Sequence, residues 1–141
     1  MKRYRSVVRF AFAVLLIAGL ANAGSKSKVI SANQARELVR AALPSWALKR
    51  PPVSIGDGSN AYLPNFYSFS AYGPTNPVGS STIGHFLVDL KTGDVWDGVV
   101  CQEYRSPALT KLQISIRKQL KLSEAGYRRL RHPSPYCDDS K

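Results

Sequence analysis

Little in this chain can do chemistry. It has two cysteines, two histidines and one methionine in 141 residues, and nine acids stand against twenty Lys and Arg. No H-x-x-x-H and no paired C-x-x-C occurs, so the spacings that build a histidine or cysteine metal centre are missing and no metal or cofactor is expected. No G-x-S-x-G elbow is present, and Gly56 and Gly58 stand in G-D-G with neither the lysine of a phosphate loop nor a following helix. The uncharged run at 10–23 is 14 residues long, short of the roughly 20 a spanning helix needs. Internal repeats and extended low-complexity segments are absent.

What stands at the start is a targeting pattern. Lys2, Arg3, Arg5 and Arg9 precede the apolar run, and Ala21-Asn22-Ala23 is a small-x-small site. Residues 1–23 read as a signal peptide, which implies a periplasmic or secreted protein. Four of the twenty cations leave with it, so the net charge falls from +11 to +7. The remaining cations are uneven: 105–131 holds eight against the single inner acid Glu124. In an oxidising compartment Cys101 and Cys137 predict a disulfide, worth about 3–4 kcal/mol on the chain-entropy model, which folds the tail back on the domain.

The mature chain suits one α+β domain: a flexible 24–30, a folded 31–137 and a frayed 138–141. Ser31 and Gln34 form a capping box, and Ala35, Leu38, Val39, Ala42 and Leu43 then recur at helical spacing, which predicts a helix over 32–43 ended by Pro44. Arg36, Glu37 and Arg40 take its wet side. Breakers dominate 44–60, leaving room for a short edge strand near 53–55. Residues 65–72 alternate as a strand, with Tyr67, Phe69 and Ala71 on one face and Phe66, Ser68, Ser70 and Tyr72 on the other. The second face suits a half-buried sheet surface or, alternatively, a ligand platform. A polar loop at 73–81 leads to a strand over 82–90.

That strand opens a hairpin, in which Lys91-Thr92-Gly93 turns the chain and a second strand over 94–101 follows. Ser106-Pro107 starts a helix that reaches about Leu122, with Leu109, Leu112, Ile116 and Leu120 inward and Lys111, Arg117, Lys118 and Lys121 in water. Ser123 caps a short third helix over 124–131. The fold expected is therefore a helix packed on a small antiparallel sheet of three to four strands, followed by two C-terminal helices and a disulfide-pinned tail.

His85 shares its strand face with Ile83, Leu87 and Asp89, and Asp97 stands on the adjoining strand. A His-Asp pair across the hairpin is conceivable, but a structural histidine is the plainer reading. Trp46 is either an exposed binding aromatic or a ring packed over the end of the first helix. Trp46, Tyr62 and Tyr72 are candidates for partner affinity, since Trp, Tyr and Arg dominate binding hot spots. Lys111, Arg117, Lys118, Lys121, Arg128 and Arg129 form a candidate basic face for steering. The cations lack the interleaved aromatics of a nucleic-acid surface, so an acidic protein, an anionic glycan or lipid headgroups fit better.

Two segments resemble the PepSY family: Ile30-Ser31-Ala32-Asn33-Gln34-Ala35 through Leu43 is similar to its opening helix, and Val88-Asp89-Leu90-Lys91-Thr92-Gly93-Asp94-Val95 to its V-D-x-x-T-G-E-V hairpin. The resemblance implies a helix across a small antiparallel sheet, in the style of cystatin-like folds, and a non-catalytic inhibitory or regulatory role. The longer region between the two segments, and everything after the hairpin, lie outside the pattern. The expected function is thus a small exported binding or inhibitory module, a hydrolase inhibitor or immunity-type protein. The alternatives are a small hydrolase using His85 and a structural envelope component.

Overall fold

The computed structural model describes residues 28–59, 63–74 and 81–132. The expected signal peptide, Tyr62, the centre of the 73–81 loop, the tail and Cys137 lie outside the described residues.

Helix α1 (Ala32–Ala42) begins at Ser31, whose Oγ accepts the Gln34 N–H at 3.3 Å while Gln34 Oε1 accepts the Ser31 N–H at 3.0 Å. The capping box is formed. Ala35, Leu38, Val39 and Ala42 are buried, and Leu43 serves as the C-cap rather than as a helical residue. A four-residue helix α2 (Ser45–Leu48) follows, where sequence pattern suggests only a connector.

Four antiparallel strands run in chain order: β1 (Ser54–Ile55), β2 (Phe66–Tyr72), β3 (Thr82–Asp89) and β4 (Val95–Asp97). Phe69, Ala71, Phe86, Val88 and Val95 join α1 in the main core. Burial of each large apolar side chain there contributes about 1.5–3 kcal/mol. On the other face Phe66, Leu87 and Trp96 form a second cluster. Two expectations need correction. The β2–β3 register slips between Ala71 and Tyr72, pairing Ala71 with Gly84 but Tyr72 with Thr82. The extra residue is Ile83, which packs against the main core instead of sharing a face with His85 and Leu87.

The second hairpin strand is also shorter, ending at Asp97 rather than at residue 101. Asp97 Oδ1 accepts the N–H groups of Val99 and Val100 at 2.8 and 2.9 Å, which turns the chain. Cys101 occupies that turn at φ +56°, and Trp96 then pairs with Glu103 as the chain returns beside β4.

The hairpin tip at 90–94 is tucked under the start of α1. Ile30 N–H donates to Leu90 O at 2.9 Å. Gly93 sits at φ +74°, and a Cβ there would lie 3.1 Å from Ile30 and 3.3 Å from Leu38. Only glycine meets both the left-handed backbone and the close approach. Helix α3 (Pro107–Gln119), with Ser106 capping Leu109 N–H at 3.1 Å, packs beside α1 and buries Leu109, Gln113 and Ile116. Helix α4 (Glu124–Leu130) buries none of its residues. The architecture is α+β, with one helix layer on a four-stranded antiparallel sheet and two helices at the C-terminal end. Among the described residues no helix is long and apolar enough to cross a membrane.

Candidate interaction surfaces

The densest polar assembly is internal. Asp89 Oδ1 accepts the Lys91 and Thr92 N–H groups at 2.7 and 2.9 Å, and Thr92 Oγ1 donates to Asp94 Oδ2 at 3.0 Å. Asp94 is 1% exposed and receives Arg117 Nη2 at 2.6 Å and the Tyr127 hydroxyl at 3.1 Å on Oδ1. Arg117 Nε donates to Thr92 O at 2.7 Å, Gln113 Nε2 to Gly93 O at 2.9 Å, and the Arg117 guanidinium lies 3.8 Å over the Tyr127 ring. Arg117 therefore does not stay in water as its helix position suggests: it ties α3 and α4 to the hairpin tip. Burial pushes the Asp94 carboxyl above its ordinary value against the pull of Arg117 and Thr92. Burial, helped by Asp94, also raises the Tyr127 hydroxyl. Arg131 extends the assembly to Glu103 at 2.6 Å, and Arg105 holds the same carboxylate at 2.7 Å.

His85 is exposed, and its Nδ1 lies 2.9 Å from Ser70 Oγ on the paired strand. Asp97 pairs with Phe86, on the helix-covered face, so strand alternation sets it opposite His85. Its carboxylate is taken by Val99 N–H, Val100 N–H and the Tyr104 hydroxyl at 2.9 Å. Burial opposes those donors, yet they and the charge of His85 hold Asp97 below the usual carboxylate range. Burial and the same contact push Tyr104 up to about 12. Among the described residues no carboxylate hydrogen-bonds the His85 ring. Nucleophile activation needs a base oriented by a third group, and Ser70 and His85 instead make a cross-strand polar pair on an exposed sheet face. No group of three or more His, Cys, Asp or Glu suited to a metal occurs among the described residues.

Among the described residues, two of the open surfaces carry the residue types singled out for a partner. At one end Trp46 is 55% exposed, which is the exposed aromatic of the two alternatives rather than the ring packed over the end of α1. It lines a cleft of about 150 Å³ with Arg50, Pro74, Thr82 and Ile83, smaller than the roughly 300–1,000 Å³ of small-molecule sites and suited to a single inserted side chain. Tyr72 is exposed nearby in sequence on β2, next to the loop that follows it. The second surface is cationic. Lys111, Lys118, Lys121, Arg128 and Arg129 are exposed on α3, α4 and the turn between them, and Arg128 Nε reaches Glu124 at 3.2 Å. Sequence reasoning finds these cations from charge spacing, but has no signal for the inward turn of Gln113 and Arg117, since both side chains are usual on a wet helix face.

No protein-family model matches the chain, and no curated protein does. A solved structure does: a chain in a type VI secretion system effector–immunity complex from Pseudomonas protegens, with a TM-score of 0.59 and 28% identity. The match covers 74% of this chain and 88% of that one, so the likeness extends over most of the described fold.

Proposed function

We propose that this chain is a small exported, non-catalytic binding protein of the immunity type, which restrains an antagonistic effector by forming a complex with it. The single observation that carries this reading is the likeness, over 74% of the chain, to a protein solved inside an effector–immunity complex. The internal use of Asp94, Arg117 and Tyr127 and the absence of an oriented base at His85 fit a protein whose polar groups hold a scaffold. Trp46 and Tyr72 present aromatic area for affinity, the side chains that most often anchor interfaces. The proposal includes removal of residues 1–23, residence in the periplasm or outside the cell, and a Cys101–Cys137 disulfide. It also includes a PepSY-like, inhibitory ancestry for the helix and hairpin.

The test is protection. Candidate type VI effectors from the same genome are directed to the periplasm with and without this protein, and growth and co-purification are measured. Restored growth together with a stable complex is expected for one effector. Growth restored without complex formation, or no protection against any of them, refutes the reading. Non-reducing mass mapping of the exported protein checks the disulfide, and free thiols at both positions would refute it.

A further inference from the structure

The outer face of α3 gathers several cations that the fold leaves without a counter-charge among the described residues. Asp89, Asp94 and Glu103 spend their charge within the fold, on backbone N–H groups and on Arg117, Arg105 and Arg131. Glu37, Asp57 and Glu124 are each paired with an arginine. Lys111, Lys118 and Lys121 have no such counter-charge among the described residues. Positions 111, 114 and 118 repeat at three- and four-residue steps, so they share one stripe of α3, and Lys121 follows in the turn after the helix at φ +57°. Ile114, 60% exposed, stands in the middle of that stripe. Each end of the stripe opens on a shallow depression. One is floored by Pro107 and Ile114 beside Arg105 and Lys111, the other by Leu122 and Leu130 beside Lys121 and Arg129.

We infer that this stripe is a docking face for an acidic protein surface that places apolar side chains against Ile114 and the two depressions while its carboxylates meet the surrounding lysines. The inference rests on the binding-protein reading and supplies the chemistry of the partner. Charge complementarity selects the occupant: the face is cationic with an apolar centre, and interfaces place apolar contacts at the core and charges at the rim. A membrane takes up protruding apolar side chains, of which the stripe offers Ile114 alone, and leaves the two depressions unfilled; nucleic acid leaves the apolar centre without a role, and stacking aromatics, which single-stranded nucleic acid needs, are absent from the stripe.

The probe is a fluorescein-labelled helical peptide of Glu, Ala and Leu with leucines on one face, compared with its Lys-for-Glu counterpart and with phosphatidylglycerol vesicles. Binding to the mature protein is read by anisotropy for the peptides and by co-sedimentation for the vesicles. The acidic peptide is expected to bind at least about tenfold more tightly than the basic one and to weaken with salt. K118E/K121E is expected to weaken it about tenfold, mainly through a slower association rate. Ile114→Ser is expected to weaken it about fivefold by faster dissociation, with the salt dependence retained. Lys49→Glu, on the Trp46 side, should bind as the unaltered protein does, and circular dichroism confirms that each variant is folded. Equal binding of the two peptides, no binding of either, or no effect of K118E/K121E overturns the inference. Vesicle binding without peptide binding overturns it in favour of a membrane surface. An effector complex that forms and tolerates K118E/K121E discards this face while keeping the immunity reading. Acidic-peptide binding with no effector complex does the reverse.

Discussion

Two turns of the sheet use the same local device with opposite outcomes. At 89–92 an aspartate accepts the N–H groups two and three residues on, and at 97–100 another aspartate does the same with nearly the same distances. The first turn is roofed by α1, α3 and the Tyr127 hydroxyl, and its Thr92 and Asp94 are 0% and 1% exposed. The second carries Val99 and Val100 into water at 70% and 67% exposure. Short-range hydrogen bonding therefore fixes the bend in each case, while burial depends on which helices the rest of the chain, before and after the turn, brings over it. The shifts of the neighbouring carboxylates follow suit: Asp94 is raised by burial, and Asp97 is lowered by its donors.

The contrast can be broken most forcefully at Arg117. Arg117→Ala leaves buried Asp94 with only the more distant Arg131, 4.0 Å away, and should cost about 3 kcal/mol of stability, read by urea unfolding. A loss below about 1 kcal/mol would mean that Thr92, Tyr127 and Arg131 satisfy Asp94 between them, within the ordinary worth of a single hydrogen bond. Gly93→Ala comes next. The left-handed backbone alone costs about 1–2 kcal/mol, and Ile30 and Leu38 must give way in addition. Asp97→Ala in the open turn should cost only about 1 kcal/mol, and Val99→Ser within about 0.5 kcal/mol of nothing.

The two carboxylates also separate by pH. Asp97 has a folded pKa below its ordinary 3.8, so its contribution is complete above that value and is lost as pH falls through the lower folded pKa. Asp94 has the opposite sign, since its folded pKa is raised from 3.8 and stability declines as pH climbs from 3.8 through the raised value. Unfolding free energies of Asp97→Asn and Asp94→Asn, measured from pH 3 upward, should therefore differ from the unaltered protein with slopes of opposite sign. Slopes of the same sign would contradict the assignment. At the alkaline end Tyr104, pushed up to about 12, contributes stability that is whole below its ordinary pKa and lost as pH rises toward that value, and Tyr104→Phe should flatten that limb.

The helices and the hairpin tip were legible in the sequence because their signals are local. Ser31, Gln34, Ser106, Pro107 and Ser123 mark starts by side-chain chemistry, and Gly93 marks a backbone that few residues adopt. Where tertiary contacts override the local pattern, the reading failed. Arg117 and Gln113 turn inward to reach Thr92 and Gly93 carbonyls set far back in the chain, and apolar periodicity is silent about polar residues that bury. The slip at Ile83 arises from register between two strands, which neither strand records alone. Trp46 lies exposed on α2 while Ala47 beside it is buried, and a four-residue helix is too short to show a period that would tell the two apart. Of the proposed partner surfaces, the cationic stripe was legible as charge, but its lack of counter-ions among the described residues depends on where the acids fold.

The glycine at the hairpin tip has a bearing on the order in which the chain takes shape. Ile30 and Leu38 rest against Gly93, about sixty positions further along, and loop closure over such a span precedes any gain from the contact. The seat of the first helix thus stays incomplete until β3 and β4 have closed and α3 has followed them. A nascent chain that has not yet reached residue 93 holds an amphipathic segment with an uncovered apolar stripe, which makes that interval the window in which a holdase or an aggregation partner competes for it.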